Sequence, residues 1–284
     1  INSFQEAIIS INYAIKQKPE NYVYQILKGD ILIDLLKNEE AKELLLNLKL
    51  PKDSFLYFQR EILISKIFIN QKKYKLAEVV LLDLKKLFSK ERILYLNLSD
   101  FYFKSNELKK GILILKEGIK NFPEFILLKY NLAIMYRNLG LLELSIKTHI
   151  EILENDQFNS NSFYELSTMY DFSNHNEQLK TLLNIRIGNF SQKEKIYLCY
   201  SKANIYHQHK NYKKSAYYLK IANDEKLKIK PSDIKRKLKT GEYYRNFKID
   251  KNLNLESATD NNQYIFIVGM PRCGSTLLES ILSL

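Results

Sequence analysis

The sequence is poor in the residues that interrupt or cross-link a chain. Its 284 residues include 8 glycines, 5 prolines, 2 cysteines and no tryptophan. So few glycines and prolines argue against a low-complexity chain and against an all-β fold, which needs many turns. Two cysteines, Cys199 and Cys273, cannot form a disulfide framework. The 45% hydrophobic content is that of a folded protein.

Long apolar runs are also missing. No stretch approaches the ~18–20 apolar residues that a membrane-spanning helix needs, and no charged-then-apolar leader opens the chain. These absences predict no membrane span and a cytoplasmic protein. The chain begins at Ile1 rather than at a methionine, so a lost leader stays open as an alternative.

One sign of charge dominates. Lysine and arginine outnumber aspartate and glutamate by 44 to 32, for a net charge of +12. Such basicity can mark a nucleic-acid binder. The lysines are nevertheless spread over predicted helical surfaces, except in 226–239 (KLKIKPSDIKRKLK). We therefore favour a solvated surface and expect no nucleic-acid partner. An anionic partner, or steering of an anionic cofactor, is the alternative.

What the sequence does contain is a repeat. Six blocks align, mostly 34 residues apart with two 2-residue slips, and they begin at residues 22, 58, 92, 126, 160 and 196. Position eight is always small: Gly29, Ser65, Ser99, Ala133, Ser167 and Ala203. Position eleven is always large: Leu32, Phe68, Tyr102, Tyr136, Tyr170 and Tyr206. Position twenty is small in five of six: Ala41, Ala77, Gly111, Ser145, Leu179 and Ser215. This is the tetratricopeptide pattern.

The pattern predicts a stack of helical hairpins. Small residues let helix A and helix B of a hairpin approach closely, while large ones fill the space between hairpins. Pro19 and Pro123 stand at position thirty-two, where proline ends helix B. Because no hairpin buries its own apolar face, we predict an all-α fold, a right-handed tetratricopeptide α-solenoid over residues 1–229.

Two parts of this solenoid depart from the pattern. Residues 1–21 match helix B without its helix A, so we interpret Ile1 as a cut end. The block at 160 is the least regular, since Leu179 replaces a small residue, and we expect a local departure in packing there.

Residues 230–263 are predicted to form a capping helix and a linker. Pro231-Ser232-Asp233 has the composition of a helix start, and 234–247 continues as a basic amphipathic helix. Such a helix would cover the open apolar end of the solenoid. The polar, asparagine-rich stretch 248–263 is typical of a linker.

The last residues, 264–284, read YIFIVGMPRCGSTLLESILSL. A short apolar run predicts a strand, a glycine-containing loop follows, and apolar residues at helical spacing predict a helix from Ser275. The free N–H groups and the dipole at such a helix start bind anions. Gly269 and Gly274 are spaced as in the nucleotide-binding loop GxxxxGK[ST], but Ser275 occupies the lysine position. The missing lysine argues against a nucleotide hydrolase.

At this loop the chain resembles a family. PRCGSTL resembles the PRSGTTL loop of sulfotransferases, which binds the 5′-phosphosulfate of 3′-phosphoadenosine 5′-phosphosulfate. The string IFIVGMPR.G.TLLE.IL is similar to the bacterial, tetratricopeptide-containing branch related to tyrosylprotein sulfotransferases. The resemblance implies that 264–284 begin a truncated α/β P-loop-like domain that needs this co-substrate and no metal. It implies a co-substrate loop of Pro271, Arg272, Cys273, Gly274, Ser275, Thr276 and Leu277.

Within the loop, the resemblance makes Arg272 the catalytic residue, because its planar cationic fork would stabilise charge on the departing phosphate. The alternative is a surface arginine in a turn. Cys273 and Ser275 depart from the family's serine and threonine, and a thiol is the weaker donor. Cys273 has no histidine nearby in sequence, so we interpret it as a serine replacement rather than a nucleophile. Ser275 and Thr276 suit helix capping equally well.

The histidines do not predict a metal site. His207 and His209 are two residues apart at the end of a helix, so they do not share one face. His149 falls at position twenty-four, normally an apolar packing position. We expect it to be a buried histidine with its hydrogen bonds satisfied.

Three functions follow. The first is a sulfotransferase that moves a sulfuryl group to an acceptor hydroxyl, with protein tyrosine as one possible acceptor, and that binds a protein or peptide on its concave repeat surface. The second is a tetratricopeptide interaction scaffold without catalysis. The third is a P-loop nucleotide-binding protein. A catalytic base and a 3′-phosphate clamp would have to lie beyond Leu284, so we expect this fragment alone to be inactive.

Overall fold

The computed structural model describes residues 2–171 and 177–231, and beyond them only 238–239, 241–242 and 245–246. The chain divides into two compact units, 1–231 and 232–284, of which the first is described below. Its described ranges hold these helices: α1 Asn2–Gln17, α2 Tyr22–Asp34, α3 Asn38–Leu46, α4 Phe55–Asn70, α5 Tyr74–Leu87, α6 Arg92–Lys104, α7 Leu108–Asn121, α8 Ile126–Asn138, α9 Leu142–Asn155, α10 Ser160–Met169, α11 Glu177–Asn184, α12 Gln192–Gln208 and α13 Tyr212–Ile229.

The helices follow the repeat blocks. Each block from 22 to 196 gives an A helix (α2, α4, α6, α8, α10, α12) and then a B helix (α3, α5, α7, α9, α11, α13). The A helices pack on each other in the pairs α2–α4, α4–α6, α6–α8 and α10–α12, and B helices such as α3 and α5 also pack on the next A helix. Helix α1 packs on α2 in the manner of a B helix. None of the described helices has both the length and the apolar character to cross a membrane.

The small repeat positions lie where helices approach most closely. All six residues at position eight are buried. At Gly29 an added Cβ would lie only 2.8 Å from Leu45 Cδ2 on the paired helix B. At Gly111, position twenty, it would lie 2.5 Å from Met135 Cε on the next helix A. The small side chain therefore sets the approach both within a hairpin and between hairpins.

Each described A–B turn contains one residue in the left-handed backbone region, always at position fifteen. The φ angles there are +62°, +58°, +61°, +76° and +57°, at Leu36, Lys72, Asn106, Gly140 and Lys210. The N–H of the following residue donates to the carbonyl of position eleven, as Lys37 does to Leu32 at 2.9 Å and Asn211 does to Tyr206 at 2.8 Å. This is the Schellman ending of an α-helix. Only one of these turns uses glycine, the residue that adopts this conformation without strain.

The large residues of position eleven enter the core to different extents. Leu32, Tyr102 and Tyr136 are buried, whereas Phe68, Tyr170 and Tyr206 are half-buried. The ring of Tyr206 stacks on Tyr218 of α13, with centroids 5.6 Å apart and planes 7° apart. All six residues of position eleven thus pack against neighbouring side chains, as the repeat pattern predicts.

The fifth block departs from its neighbours. Helix α11 has 8 residues where α5, α7 and α9 each have 14, and a 3-10 turn, Ile187–Asn189, follows it. Helix α10 packs directly on α12. Leu179, which replaces the small residue here, is buried.

A buried lysine closes the C-terminal end of the short helix α11. Lys202 stands at position seven of α12 and is 3% exposed, although position seven is a buried aliphatic residue in the four preceding blocks. Its Nζ donates to the carbonyl oxygens of Leu183 at 3.2 Å and Ile185 at 2.8 Å. Burial lowers the pKa of the Lys202 amine.

Several sequence predictions fall beyond the described residues. In the predicted capping helix, 234–247, the pairs 238–239, 241–242 and 245–246 are helical. The linker 248–263 and the predicted strand, loop and helix of 264–284 lie outside the described residues.

Candidate ligand-binding face

The A helices lie side by side and share one surface, which we call the A-helix face. It consists of repeat positions two, five, six and nine on α2, α4, α6, α8, α10 and α12. These positions are counted from the block starts at residues 22, 58, 92, 126, 160 and 196. These positions follow the i, i+3, i+4, i+7 spacing of a single helix face. In stacked helical repeats, such a shared surface becomes the extended concave surface that binds partners.

The first half of this face, on α2, α4 and α6, is aliphatic. A cavity of about 280 Å³ opens between these three helices, and its described lining is apolar except for Asp30 and Gln59. Leu27, Phe55 and Ile93 at its rim are 48%, 54% and 43% exposed. Large apolar side chains left this open to water mark an interaction surface when they are contiguous.

A second, smaller cavity of about 150 Å³ lies between α6 and α8. It is lined by Ser99, Asp100, Phe103, Asn131, Ile134 and Met135. Asn131 Nδ2 donates to Ser99 Oγ at 3.3 Å across the two helices. Asp100 pairs with Lys104 of its own helix at 2.8 Å.

The second half of the face, on α8, α10 and α12, is aromatic and hydrogen-bonded within itself. The ring of Tyr164 contacts Tyr197 and Tyr200, with centroids 5.4 Å and 6.2 Å away. Asn204 Nδ2 donates to Ser167 Oγ at 3.0 Å. These contacts link α10 to α12 through side chains of the face itself.

A buried carboxylate holds α8 against α10. Glu165, 8% exposed, pairs with Arg137 and accepts the Tyr130 hydroxyl at 3.5 Å. Burial, reinforced by the Glu165 charge, raises the pKa of Tyr130. The tyrosine is therefore a hydrogen-bond donor at any physiological pH.

His149 lies behind this half, and there the sequence prediction is only half right. The ring is fully buried, its Nδ1 lies 3.3 Å from Ser162 Oγ, and its edge meets the Tyr130 ring at 5.6 Å. Its Nε2 has no hydrogen-bond partner among the described residues. Burial, with a smaller contribution from the Arg137 charge, lowers the pKa of His149 to about 4. The ring is neutral at physiological pH because the core around it cannot hydrate a cation.

The residues that the sequence singled out for chemistry lie elsewhere. Pro271, Arg272, Cys273, Gly274, Ser275, Thr276 and Leu277 are outside the described residues, so their role stays a prediction. Within the part of the chain that is described, no three histidine, cysteine, aspartate or glutamate side chains are placed to hold a metal ion. Cys199 is fully buried, and burial raises the pKa of its thiol.

Neither cavity of the A-helix face was predicted from the sequence. The signal was present, because the repeat register gives positions two, five, six and nine of each block. In α2, α4 and α6 these positions are rich in valine, isoleucine and leucine, and in α8, α10 and α12 they are rich in tyrosine and asparagine.

The described part of the chain is a tetratricopeptide-repeat α-solenoid. It is similar to a tetratricopeptide protein, TTC0263 of Thermus thermophilus, with a TM-score of 0.50 and 16% identity over 58% of this chain and 90% of that one. It is also similar to PilF of Pseudomonas aeruginosa, with a TM-score of 0.51 and 13% identity over 77% of this chain and 96% of that one. Neither a protein-family model nor a curated protein matches the chain. The likeness shows the fold, and it supports the tetratricopeptide part of the resemblance but not the sulfotransferase part.

Proposed function

We propose that residues 1–231 form an interaction scaffold that binds a protein partner on the A-helix face. The observation that carries the proposal is the open apolar cavity between α2, α4 and α6, whose rim residues stay about half exposed. Burial of apolar surface stabilises a complex by about 25 cal/mol per Å² before the entropic cost of association is subtracted. Leu27, Phe55 and Ile93 are therefore expected to lie inside the interface.

The charges of the face favour a protein over a nucleic acid. A nucleic-acid site needs lysine or arginine aimed at phosphates. At the positions that define this face, Lys66 is the one basic residue, whereas Asp30, Asp100 and Glu165 are acidic. The chain's positive charge thus lies largely outside the surface that we propose for binding.

Site-specific photo-cross-linking in cells of the source organism tests this function. A benzophenone amino acid replaces Ile93 or Tyr197 on the A-helix face or, as a control, Leu113, which is 67% exposed on helix α7. We expect discrete protein adducts from Ile93 and none from the control, while adducts from Tyr197 alone would place the interface on the other half of the face. Adducts formed only at Leu113 would move the interface to the B helices and contradict the proposal.

A second function rests on the sequence PRCGSTL. We propose that, in a chain continuing beyond Leu284, this loop binds 3′-phosphoadenosine 5′-phosphosulfate and that the protein transfers its sulfuryl group to an acceptor hydroxyl. Arg272 would stabilise charge on the leaving phosphate, and Gly274, Ser275 and Thr276 would bind the 5′-phosphate. The scaffold would then supply the acceptor protein.

The extended chain should bind adenosine 3′,5′-bisphosphate in preference to ATP. Arg272→Ala should lower kcat more than cofactor affinity, because its strongest interaction forms as the charge develops. Isothermal titration and transfer of radiolabelled sulfate to a mixed acceptor pool measure the two effects. Unchanged turnover in the variant would exclude Arg272 from catalysis, and a preference for ATP would favour the nucleotide-binding alternative.

A further inference from the structure

The cavity between α2, α4 and α6 offers an apolar floor and an open rim. Ile26, Phe58 and Ile62 are 6%, 2% and 7% exposed at its floor, while Leu27 and Ile93 at the rim remain about half exposed. An apolar side chain placed there would cover the rim without displacing a polar group of the floor. This site therefore selects bulky aliphatic or aromatic groups.

Each of the two cavities carries a negative charge. Among the described residues that line them, the charged ones are Asp30 in the larger cavity and Asp100 in the smaller. Their partners, Lys66 at 3.3 Å and Lys104 at 2.8 Å, form pairs whose side chains are all 43–51% exposed. Ion pairs this open to water contribute about 0–1 kcal/mol, so a ligand's cation can replace either lysine. Carboxylates stand at both openings of a chain whose net charge is +12.

Helix α6 joins the two cavities and sets the distance between them. Ile93 lines the larger cavity, and Asp100 lines the smaller. Seven residues further along an α-helix is about 10 Å, and it is nearly two turns, so both side chains lie on one face. An extended peptide covers that distance in about three residues.

We propose that the A-helix face along α6 binds an extended protein segment that carries a bulky apolar side chain and, about three residues away, a lysine or arginine. The apolar side chain fills the cavity between α2, α4 and α6, and the cation pairs with Asp100. This proposal rests on the proposed scaffold function and specifies its partner. A helical partner would need a spacing of about seven residues, because a helix rises only about 1.5 Å per residue.

Peptide selection on the full 284-residue chain tests the pattern. A phage-displayed library of random peptides is panned on the protein, and enriched peptides are synthesised and titrated by fluorescence anisotropy. We expect a bulky apolar residue separated by about three positions from a lysine or arginine. Changing the apolar peptide residue to alanine should weaken binding by about tenfold, the equivalent of one buried aliphatic group. Changing the basic residue to alanine should weaken it by no more than about fivefold, because its ion pair with Asp100 stays open to water.

Protein variants then assign each half of the pattern. Ile93→Gln should weaken binding by about tenfold, because it removes apolar surface at the rim. Leu113→Gln, at a more exposed aliphatic residue of α7, should leave affinity unchanged. Asp100→Lys should reverse the charge preference, so that peptides with glutamate in place of the basic residue bind better than the parent. A merely structural role for Asp100 would not produce that reversal.

The outcomes separate this proposal from the broader one. Peptides without the apolar–basic pattern, or peptides released by Asn204→Ala but not by Ile93→Gln, would overturn it and leave the scaffold function standing on the other half of the face. A spacing of about seven residues would replace the extended segment with a helix and overturn it as well. Binding lost only in Leu113→Gln would contradict both proposals. If no peptide is enriched, this inference fails, and the cross-linking experiment decides the scaffold function separately.

Discussion

The two halves of the A-helix face differ in how their side chains are used. On α2, α4 and α6 the side chains line a cavity, and the aliphatic groups at its rim are exposed to water. On α8, α10 and α12 they contact one another, through the tyrosine cluster around Tyr164, the Glu165 ion pair and the Asn204 hydrogen bond. The same backbone repeat thus yields an open surface in one half and an internally bonded one in the other.

This difference predicts that one half of the face serves binding and the other half serves stability. Polar groups that are buried and mutually bonded contribute most to a structure when every member is satisfied, and they are expensive to disturb. Exposed aliphatic groups contribute little to folding but much to a complex. Substitutions in the tyrosine half should therefore change stability, while those in the aliphatic half should change affinity.

The largest effect should come from acid acting on His149. In the unfolded chain its pKa is near 6.5, and in the fold burial lowers it to about 4 beside Tyr130 and Arg137. Between these values the unfolded chain binds more protons than the folded one, so the free energy of unfolding falls as the pH is lowered from about 6.5 to about 4. The loss should reach roughly 2–4 kcal/mol and level off below pH 4.

Urea denaturation across this pH range measures the effect. His149→Gln should flatten the dependence, whereas His207→Gln, at an exposed histidine of α12, should keep it. Equal pH slopes in the wild type and in His149→Gln would show that the acid sensitivity lies elsewhere.

A smaller loss is expected from Lys202→Met. The variant keeps an unbranched side chain but removes the donor from the carbonyls of Leu183 and Ile185, which should lower the free energy of unfolding by about 1–3 kcal/mol. Lys28→Met is the matched control, since Lys28 holds position seven of the first block and is only half-buried. Its change should stay within about 0.5 kcal/mol. Chemical denaturation of both variants measures the two changes. Equal losses of unfolding free energy would show that the Lys202 amine does not stabilise the end of α11.

The smallest effects test the two halves directly. Asn204→Ala should cost about 0.5–1.5 kcal/mol, because it removes the hydrogen bond to Ser167. Leu27→Gln should change stability by no more than about 0.5 kcal/mol, because about half of this side chain is already in water. Thermal melts of the two variants decide the matter. A larger loss of stability for Leu27→Gln than for Asn204→Ala would mean that the aliphatic half stabilises the fold rather than a complex.

The hairpins could be predicted from the sequence because their signals are local and repeated. Small residues such as Ser99 and Ala133 recur at fixed spacing, and Pro123 follows α7 two residues after its end. The sequence indicates the irregular fifth block through Leu179 and through Asn174-His175-Asn176 at the expected turn. Each of these signals needs only the repeat register to be understood.

The cavities and the buried polar groups could not be predicted in the same way. The opening between α2, α4 and α6 depends on the rotamers of side chains from three helices. Neighbouring helices also decide which His149 nitrogen is hydrogen-bonded, and among the described residues only Nδ1 is. The sequence does not distinguish Lys202 from the surface lysines. Its burial follows from the short α11, whose end places the carbonyls of Leu183 and Ile185 beside the amine. The loop from Pro271 to Leu277 lies outside the described residues, and its chemistry remains a prediction.

The left-handed residue at position fifteen gives the five described A–B turns one shared geometry. The reversal of the chain is set by one backbone torsion that is nearly the same at Leu36, Lys72 and Lys210, whatever the side chain. One of these turns could therefore be exchanged for another with little change to the two helices that it joins. Non-glycine residues in this conformation are strained by roughly 1–2 kcal/mol each. Glycine at these three turns would give engineers a sturdier array on which new binding faces could be built.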